Sequence, residues 1–334
     1  MKRSEVIQTI FNHHIPIAPT QERATAFAPS NIALCKYWGK RNSELNLPLT
    51  SSLSIALPTK GTTTTLVWNP KQTRDSIIFN GKEMAVDSAF VQRLTQFLDL
   101  FRPQYQWYLH ITIEMNIPLA AGFASSASGF AALVFALNNL FDWRLESQVL
   151  SILARLGSGS AARSLWTGFV EWDCGKRSDG MDSYAKPLEN TWPELCMGLL
   201  SICETAKPIS SRAAMQRTMD TSSLYPQWLE KATQDLVMIK QAICQKDFPL
   251  LGQLAEQNAL TMHAMMLSSW PPICYFLPDT LAAMQRIWAL RKAGLALYFT
   301  QDAGPNVKLL FLKKDSQSIQ QSFPMVEIIS VFND

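Results

Sequence analysis

The chain has 334 residues, 47% of them hydrophobic and 17% charged, enough for two domains or one large α/β domain. With 18 prolines spread along its length it reads as an ordinary globular protein, not a disordered one. A formal charge of +3 and the lack of any Lys/Arg block of five or more exclude an argument from charge for nucleic acid or a membrane surface as partner. Cys35, Cys174, Cys196, Cys203, Cys244 and Cys274 form no CxxC pair and no metal-finger spacing with the four histidines, so buried reduced thiols are expected. His13-His14 reads as a solvated pair. Gln8, Asn12, His13, His14 and Pro16 interrupt the apolar residues of 6–17, so no signal-peptide core is present and a cytoplasmic location is expected.

Residues 1–22 read as an N-terminal extension, and the globular pattern starts near residue 24. Strands are predicted over 52–57, 62–68 and 76–79, the last followed by an Asn80-Gly81 turn. Helical periodicity covers 86–101, and 107–113 alternates like a half-buried strand. A helix over 145–156 ends at Gly157, a strand pair begins at 168–172, and 195–202 reads as a buried strand. Helices follow near 211–221, 225–245, 248–269 and 278–293, and two strands, 297–300 and 307–312, close the chain. No internal repeat or low-complexity linker occurs. The expected division is an extension at 1–22, one domain at 23–200 and a second at 201–334.

The most informative segment is PLAAGFASSASG at 118–129, which runs into an apolar helix pattern. Small side chains let backbone N–H groups approach an anion, and the N-terminus of the following helix favours negative charge. The natural ligand is a phosphate chain; a tightly packed core helix with a capping serine is the plainer alternative. No lysine follows Gly129, so this is not the GxxxxGK[ST] loop. The charge-free stretch 115–141 invites a membrane reading, but Pro118, Gly122, Gly129 and the Ser/Ala run leave too little continuous apolar chain.

Four further segments stand out: APSNIALCKYWGKR at 28–41, GSGSAARS at 157–164, SSR at 210–212 and DAGPN at 302–306. Each alone is ordinary, since an exposed lysine is usually just solvated and an Asp before a small turn residue usually serves the turn. Together and in this order, over about residues 24–312, they resemble the diphosphomevalonate decarboxylase family of the GHMP kinase superfamily. The resemblance implies an α+β GHMP kinase fold, with a ribosomal-protein-S5-type N-terminal domain, a ferredoxin-like C-terminal domain and the active site in the cleft between them. It implies ATP-dependent decarboxylation of mevalonate 5-diphosphate to isopentenyl diphosphate in the mevalonate pathway, with Mg²⁺ accompanying ATP, and a homodimer.

By the same resemblance Asp302, Lys36 and Arg163 are catalytic. Asp302 would accept the C3 hydroxyl proton, Lys36 would hold Asp302 ionised, and Arg163 with Asn31 would grip the substrate carboxylate. Tyr37, Lys40, Ser158, Ser160, Ser211 and Arg212 would surround the substrate diphosphate. Ala121, Gly122, Ala124, Ser125, Ser126 and Ser128 would bind ATP, and Lys207 is a looser match near the nucleotide. The resemblance assigns no direct metal ligand. Asn42, Thr50 and Ala162 depart from the family's usual residues without removing an assigned charge or hydroxyl. A monophosphate-specific decarboxylase, a kinase that stops after phosphorylation and an inactive binding module are the alternatives; the last two are disfavoured because Asp302, Lys36 and Arg163 all stand.

Overall fold

The structure is a computed structural model describing residues 1–15, 18–102, 107–117, 125–203, 205 and 209–332, with Ser125 described by its backbone alone. In chain order the first part comprises α1 (Arg3–Ile10), β1 (Arg23–Cys35), β2 (Lys40–Asn42), β3 (Leu47–Pro48), β4 (Ser52–Trp68), β5 (Ser76–Phe79), β6 (Lys82–Glu83), α2 (Ala89–Leu98), β7 (Leu109–Met115), α3 (Ser125–Leu140), α4 (Ser147–Gly157), a 3-10 turn (Gly159–Arg163), β8 (Gly168–Trp172) and β9 (Ala185–Pro187). Then come β10 (Leu195–Leu200), α5 (Ser211–Thr221), α6 (Tyr225–Gln245), α7 (Phe248–Leu267), α8 (Pro278–Lys292), β11 (Tyr298–Gln301), β12 (Val307–Leu312), α9 (Ser316–Ser322) and β13 (Glu327–Ser330).

The spine of the first sheet is the pair β1–β4, antiparallel from Arg23↔Val67 to Cys35↔Leu53. The two strands expected at 52–57 and 62–68 are one strand of 17 residues. Their pattern breaks at Pro58 because the register shifts there: Pro29 pairs with Gly61 and Ser30 with Leu57, so 58–60 bulge out where a proline costs no ladder hydrogen bond. On its other edge β4 pairs with β7 along 62–68 and with β8 along 52–56. Asn80 and Gly81 both have positive φ, 45° and 76°, and close the two-residue β5–β6 hairpin as the sequence predicts.

Helices α2, α3 and α4 cover this sheet. Ala131, Ala132, Val134 and Leu137 of α3 are fully buried against Leu66, Leu109 and Ile111. The N-terminal extension belongs to this core too, since Val6 and Ile7 of α1 are completely buried in it and Ile10 and Phe11 pack against it; the spacing 6, 7, 10, 11 is that of one helix face, but a single short stretch gave no sign of which core it would join. No helix among the described residues is long and apolar enough to cross a membrane.

The second sheet, in order β11-β12-β10-β13, is antiparallel throughout. Numbered by appearance this is 2-3-1-4, the ferredoxin-like arrangement, so the α+β expectation agrees with the molecule. The closing element β13 was not foreseen: it has four residues at a sheet edge, with one buried side chain, Ile329. β10 lies inside the second sheet, so a division at residue 200 would part it from its partners; we propose a boundary within 188–194 instead. Ile32, Leu34, Cys35, Leu53 and Ile55 of the first sheet share one core with Met197, Leu199 and Leu310 of the second and with α6 and α7. That shared core fixes the sheets relative to each other and sets the cleft beside it.

Candidate active site

β1 ends at Cys35, and the next residues turn sharply under α6 and α7. Asn258 of α7 accepts the Lys36 backbone N–H at 2.8 Å and is itself oriented by donating to Asp235 at 2.8 Å. Tyr225 and Trp228 of α6 donate to the Trp38 carbonyl, each at 3.3 Å. Gly39 has φ +126°, and a Cβ there would fall 1.7 Å from the Tyr225 hydroxyl, so only glycine fits this turn. The clamp fixes Lys36, Tyr37 and Lys40 in the lining of a cavity of about 490 Å³, a size suited to a small ligand.

The β11–β12 loop brings Asp302 and Ala303 to the same cavity. Asp302 Oδ1 accepts from Lys36 Nζ at 2.7 Å, and Lys36 also donates to the Ala33 carbonyl at 2.8 Å. Lys308 Nζ lies 3.4 Å from Asp302 Oδ2. Burial alone would raise the Asp302 carboxyl, but Lys36 and Lys308 outweigh it and hold it down at about 2. Burial lowers the Lys36 ammonium, and the charge and hydrogen bond of Asp302 oppose that shift. His263 Nε2 lies 3.2 Å from the Asp302 carbonyl, which can only accept, so this nitrogen carries the proton. Burial drives the imidazole down to about 3, with Lys36 adding to the effect, and it stays neutral.

Arg163, at the end of the 3-10 turn, is 3% exposed. Its Nε donates to Ser54 Oγ at 3.1 Å, its Nη2 to Asn31 Oδ1 at 3.3 Å and its Nη1 to Ser52 Oγ. Asn31 is itself held, donating to Ser164 Oγ at 2.7 Å and the Ser160 carbonyl at 3.2 Å. Every one of these Arg163 partners is neutral. Burial lowers the guanidinium to about 10, so at neutral pH it is a charged, rigidly aimed fork on the cavity wall.

Around these groups the cavity collects Tyr37, Lys40, Ser158, Ser160, Ser211, Arg212 and Ser126. The Tyr37 hydroxyl is buried with no hydrogen-bond partner among the described residues, and burial pushes its pKa up, so it stays a donor. Gly159 makes room for it: a Cβ there would stand 2.8 Å from that hydroxyl. Lys40 donates to Asn46 Oδ1 at 2.7 Å, and burial together with Arg212 lowers it to about 8. Ser210 caps α5 by accepting from Ala213 N–H at 3.2 Å, which puts Ser211 and Arg212 in the first turn.

Ser126 Oγ sits 3.2 Å from Ser158 Oγ, where this cavity meets a second, apolar one of about 410 Å³ lined by Phe79, Phe90, Leu94, Ile113, Phe130 and Leu133 among others. Arg93 borders both and donates to the Gly157 carbonyl at 2.9 Å; sequence reasoning missed it because an arginine on an amphipathic helix reads as solvated. Ser128, by contrast, is not brought to the cleft: it is fully buried, its hydroxyl 2.8 Å from Thr62 Oγ1 and 3.1 Å from Ser30 Oγ. Ala121, Gly122, Ala124, the Ser125 side chain and Lys207 lie outside the described residues. Of the six thiols only Cys35 and Cys196 are buried, fewer than expected; burial pushes Cys35 up to about 12, which makes it a poor nucleophile.

Two family models match the chain: the diphosphomevalonate decarboxylase-like N-terminal domain over residues 28–185 and the mevalonate 5-diphosphate decarboxylase C-terminal domain over 199–330. The chain belongs to the diphosphomevalonate decarboxylase family. Diphosphomevalonate decarboxylase of Saccharomyces cerevisiae is 35% identical, covering 89% of this chain and 79% of its own. That of Candida albicans is 38% identical over 86% and 84%. The crystal structure of mevalonate diphosphate decarboxylase from Staphylococcus aureus superposes with a TM-score of 0.87 at 38% identity, covering 93% of this chain and 96% of that one. The structure of MDDEF in complex with MVAPP, AMPPCP and magnesium gives a TM-score of 0.86 at 40% identity, over 92% and 95%.

Proposed function

We propose that this protein carries out ATP-dependent decarboxylation of mevalonate 5-diphosphate to isopentenyl diphosphate, phosphate, ADP and carbon dioxide. One observation carries the reading: an ionised carboxylate bound to a lysine and a buried guanidinium bound to neutral groups face the same cavity. The first suits transfer of phosphate to a hydroxyl, and the second is complementary to a carboxylate that must be held while it leaves as carbon dioxide.

The substrate's C3 hydroxyl is tertiary and a weak nucleophile. Its oxygen bonds to the γ-phosphorus as the bond to ADP breaks, and the proton passes to Asp302. Lys36 offsets charge on the transferring group. The C3–O bond then breaks with phosphate leaving, the C1–C2 bond breaks to release carbon dioxide, and its electrons form the C2–C3 double bond. Arg163 and Asn31 hold the C1 carboxylate in the alignment this elimination needs. Tyr37, Lys40, Ser158, Ser160, Ser211 and Arg212 supply donors and charge for the 5-diphosphate.

The apolar cavity next to Ser126 suits an adenine ring, with the ATP phosphates toward Ser126 and Arg93. Mg²⁺ favours phosphate and water oxygens over an all-protein cage and would neutralise phosphate charge, and the Ser126 hydroxyl is the described donor that fits beside it. The reading includes a cytoplasmic homodimer, for which sedimentation should give a two-chain mass.

Asp302→Asn tests the reading: it keeps the shape but removes the proton acceptor. Turnover of mevalonate 5-diphosphate should fall on the order of 10²–10⁴-fold, with calorimetric affinity for the substrate within several-fold. More than half of the wild-type rate would overturn the assignment.

A further inference from the structure

β12 is a buried strand whose residues Val307, Leu309, Leu310 and Phe311 are all fully enclosed and apolar. Lys308, also fully buried, is the exception among them. It shares a face with Leu310, toward the core between the two sheets, while Val307, Leu309 and Phe311 pack on the opposite side against Ile287 and Phe299. A lysine so enclosed is strongly destabilising unless its charge is matched. An apolar residue would fill the space more cheaply, so the charge itself calls for a function. The match is Asp302 Oδ2, 3.4 Å from Nζ, with the Asn306 carbonyl accepting at 3.3 Å.

The two oxygens of Asp302 therefore have different surroundings. Oδ1 meets Lys36, which lines the cavity, whereas Oδ2 is buried and meets a lysine that does not line it. We propose that Lys308 is a positioning residue for the phosphoryl step, holding Oδ2 from the interior so that Oδ1 is presented to the substrate hydroxyl in one orientation and as the carboxylate. The proposal rests on the decarboxylase reading. Among the described residues, the charged and titratable groups facing Asp302 are Lys36 after β1, Lys308 of β12, His263 of α7 and Arg163 of the 3-10 turn. His263 is neutral across the working range, so it adds no charge that could replace Lys308.

The test uses the full-length enzyme with ATP, Mg²⁺ and mevalonate 5-diphosphate. In Lys308→Met a cation that holds Asp302 down is gone, so its proton affinity rises and activity is lost at a higher pH on acidification. Its acid limb of kcat should move up on the order of one pH unit relative to wild type. Titration of the substrate phosphates is common to both enzymes and cancels in the comparison. kcat should drop on the order of tenfold or more, and KM should stay within about twofold, because Lys308 does not reach the cavity. Lys308→Arg should return the acid limb toward wild type. Folding is followed by circular dichroism, with Lys308→Gln as a second neutral variant read in the same way. A folded neutral variant with wild-type kcat and pH profile, or one changed in KM alone, would overturn the proposal. So would two neutral variants that fail to fold beside a Lys308→Arg enzyme with wild-type kcat, which would assign the charge to folding. Wild-type turnover in the same assay tests the decarboxylase reading separately.

Discussion

Arg163 shows how a cation can be enclosed before its anion arrives. Burying an ion costs several kcal/mol, and the hydrogen bonds that Arg163 donates to neutral Ser52, Ser54 and Asn31, with the more distant charge of Asp302, offset only part of that. In the proposed mechanism a substrate carboxylate entering the cavity would restore the balance, so binding and alignment would come together at this residue. Arg163→Lys keeps the charge and loses the planar fork, so a two-point grip becomes a point contact. Carbon dioxide release should fall on the order of 10²-fold, since small misplacements of reacting groups cost about that much. Phosphoryl transfer should suffer less, and rapid-quench samples should contain a 3-phosphorylated intermediate. Loss of ADP and carbon dioxide in strict one-to-one proportion, with no intermediate, would show that Arg163 serves the phosphoryl step.

At the scale of elements, the turn from Lys36 to Lys40 depends on α6 and α7, not on its own propensity. Gly39→Ala would bring a methyl group into the Tyr225 hydroxyl at a φ of +126°, so either the turn or the N-terminus of α6 must shift. A cost of about 1–3 kcal/mol in denaturant unfolding is expected, together with a raised KM for mevalonate 5-diphosphate because Lys40 moves. Unchanged stability and KM would show that the turn does not depend on this contact. The KYWGK motif was legible in the sequence, but its support was not: Asn258 and Asp235 come from helices some 200 positions later and look like ordinary helix-surface polar residues. Lys308 and Arg93 were missed for related reasons. A lysine in an apolar strand gives no sign of what it faces, and an arginine on an amphipathic helix gives no sign of a cavity. Ser128 misled in the other direction, because a hydroxyl in a phosphate-loop pattern can turn inward to Thr62. The long helices from α5 to α8 were readable from their periodicity, whereas joining 52–57 to 62–68 across a bulge, and β13 at an edge, needed the partner strands.

Across the whole molecule, the Lys36–Asp302 ion pair is contributed by two sheets. Lys36 follows β1 of the first, Asp302 follows β11 of the second, and the core shared by Ile32, Leu34, Met197 and Leu310 holds them in register. Arg163 joins the same cavity from the covering layer of the first sheet, so in the proposed mechanism phosphorylation and decarboxylation draw on different elements around one cleft. The assay closest to this account supplies ATP and Mg²⁺ with mevalonate, its 5-phosphate or its 5-diphosphate, and counts ADP and carbon dioxide separately. Equal amounts of ADP and carbon dioxide are expected from the 5-diphosphate, at a kcat/KM well above that of the other two. ADP without carbon dioxide from the 5-diphosphate, or preferred turnover of the 5-phosphate, would contradict it.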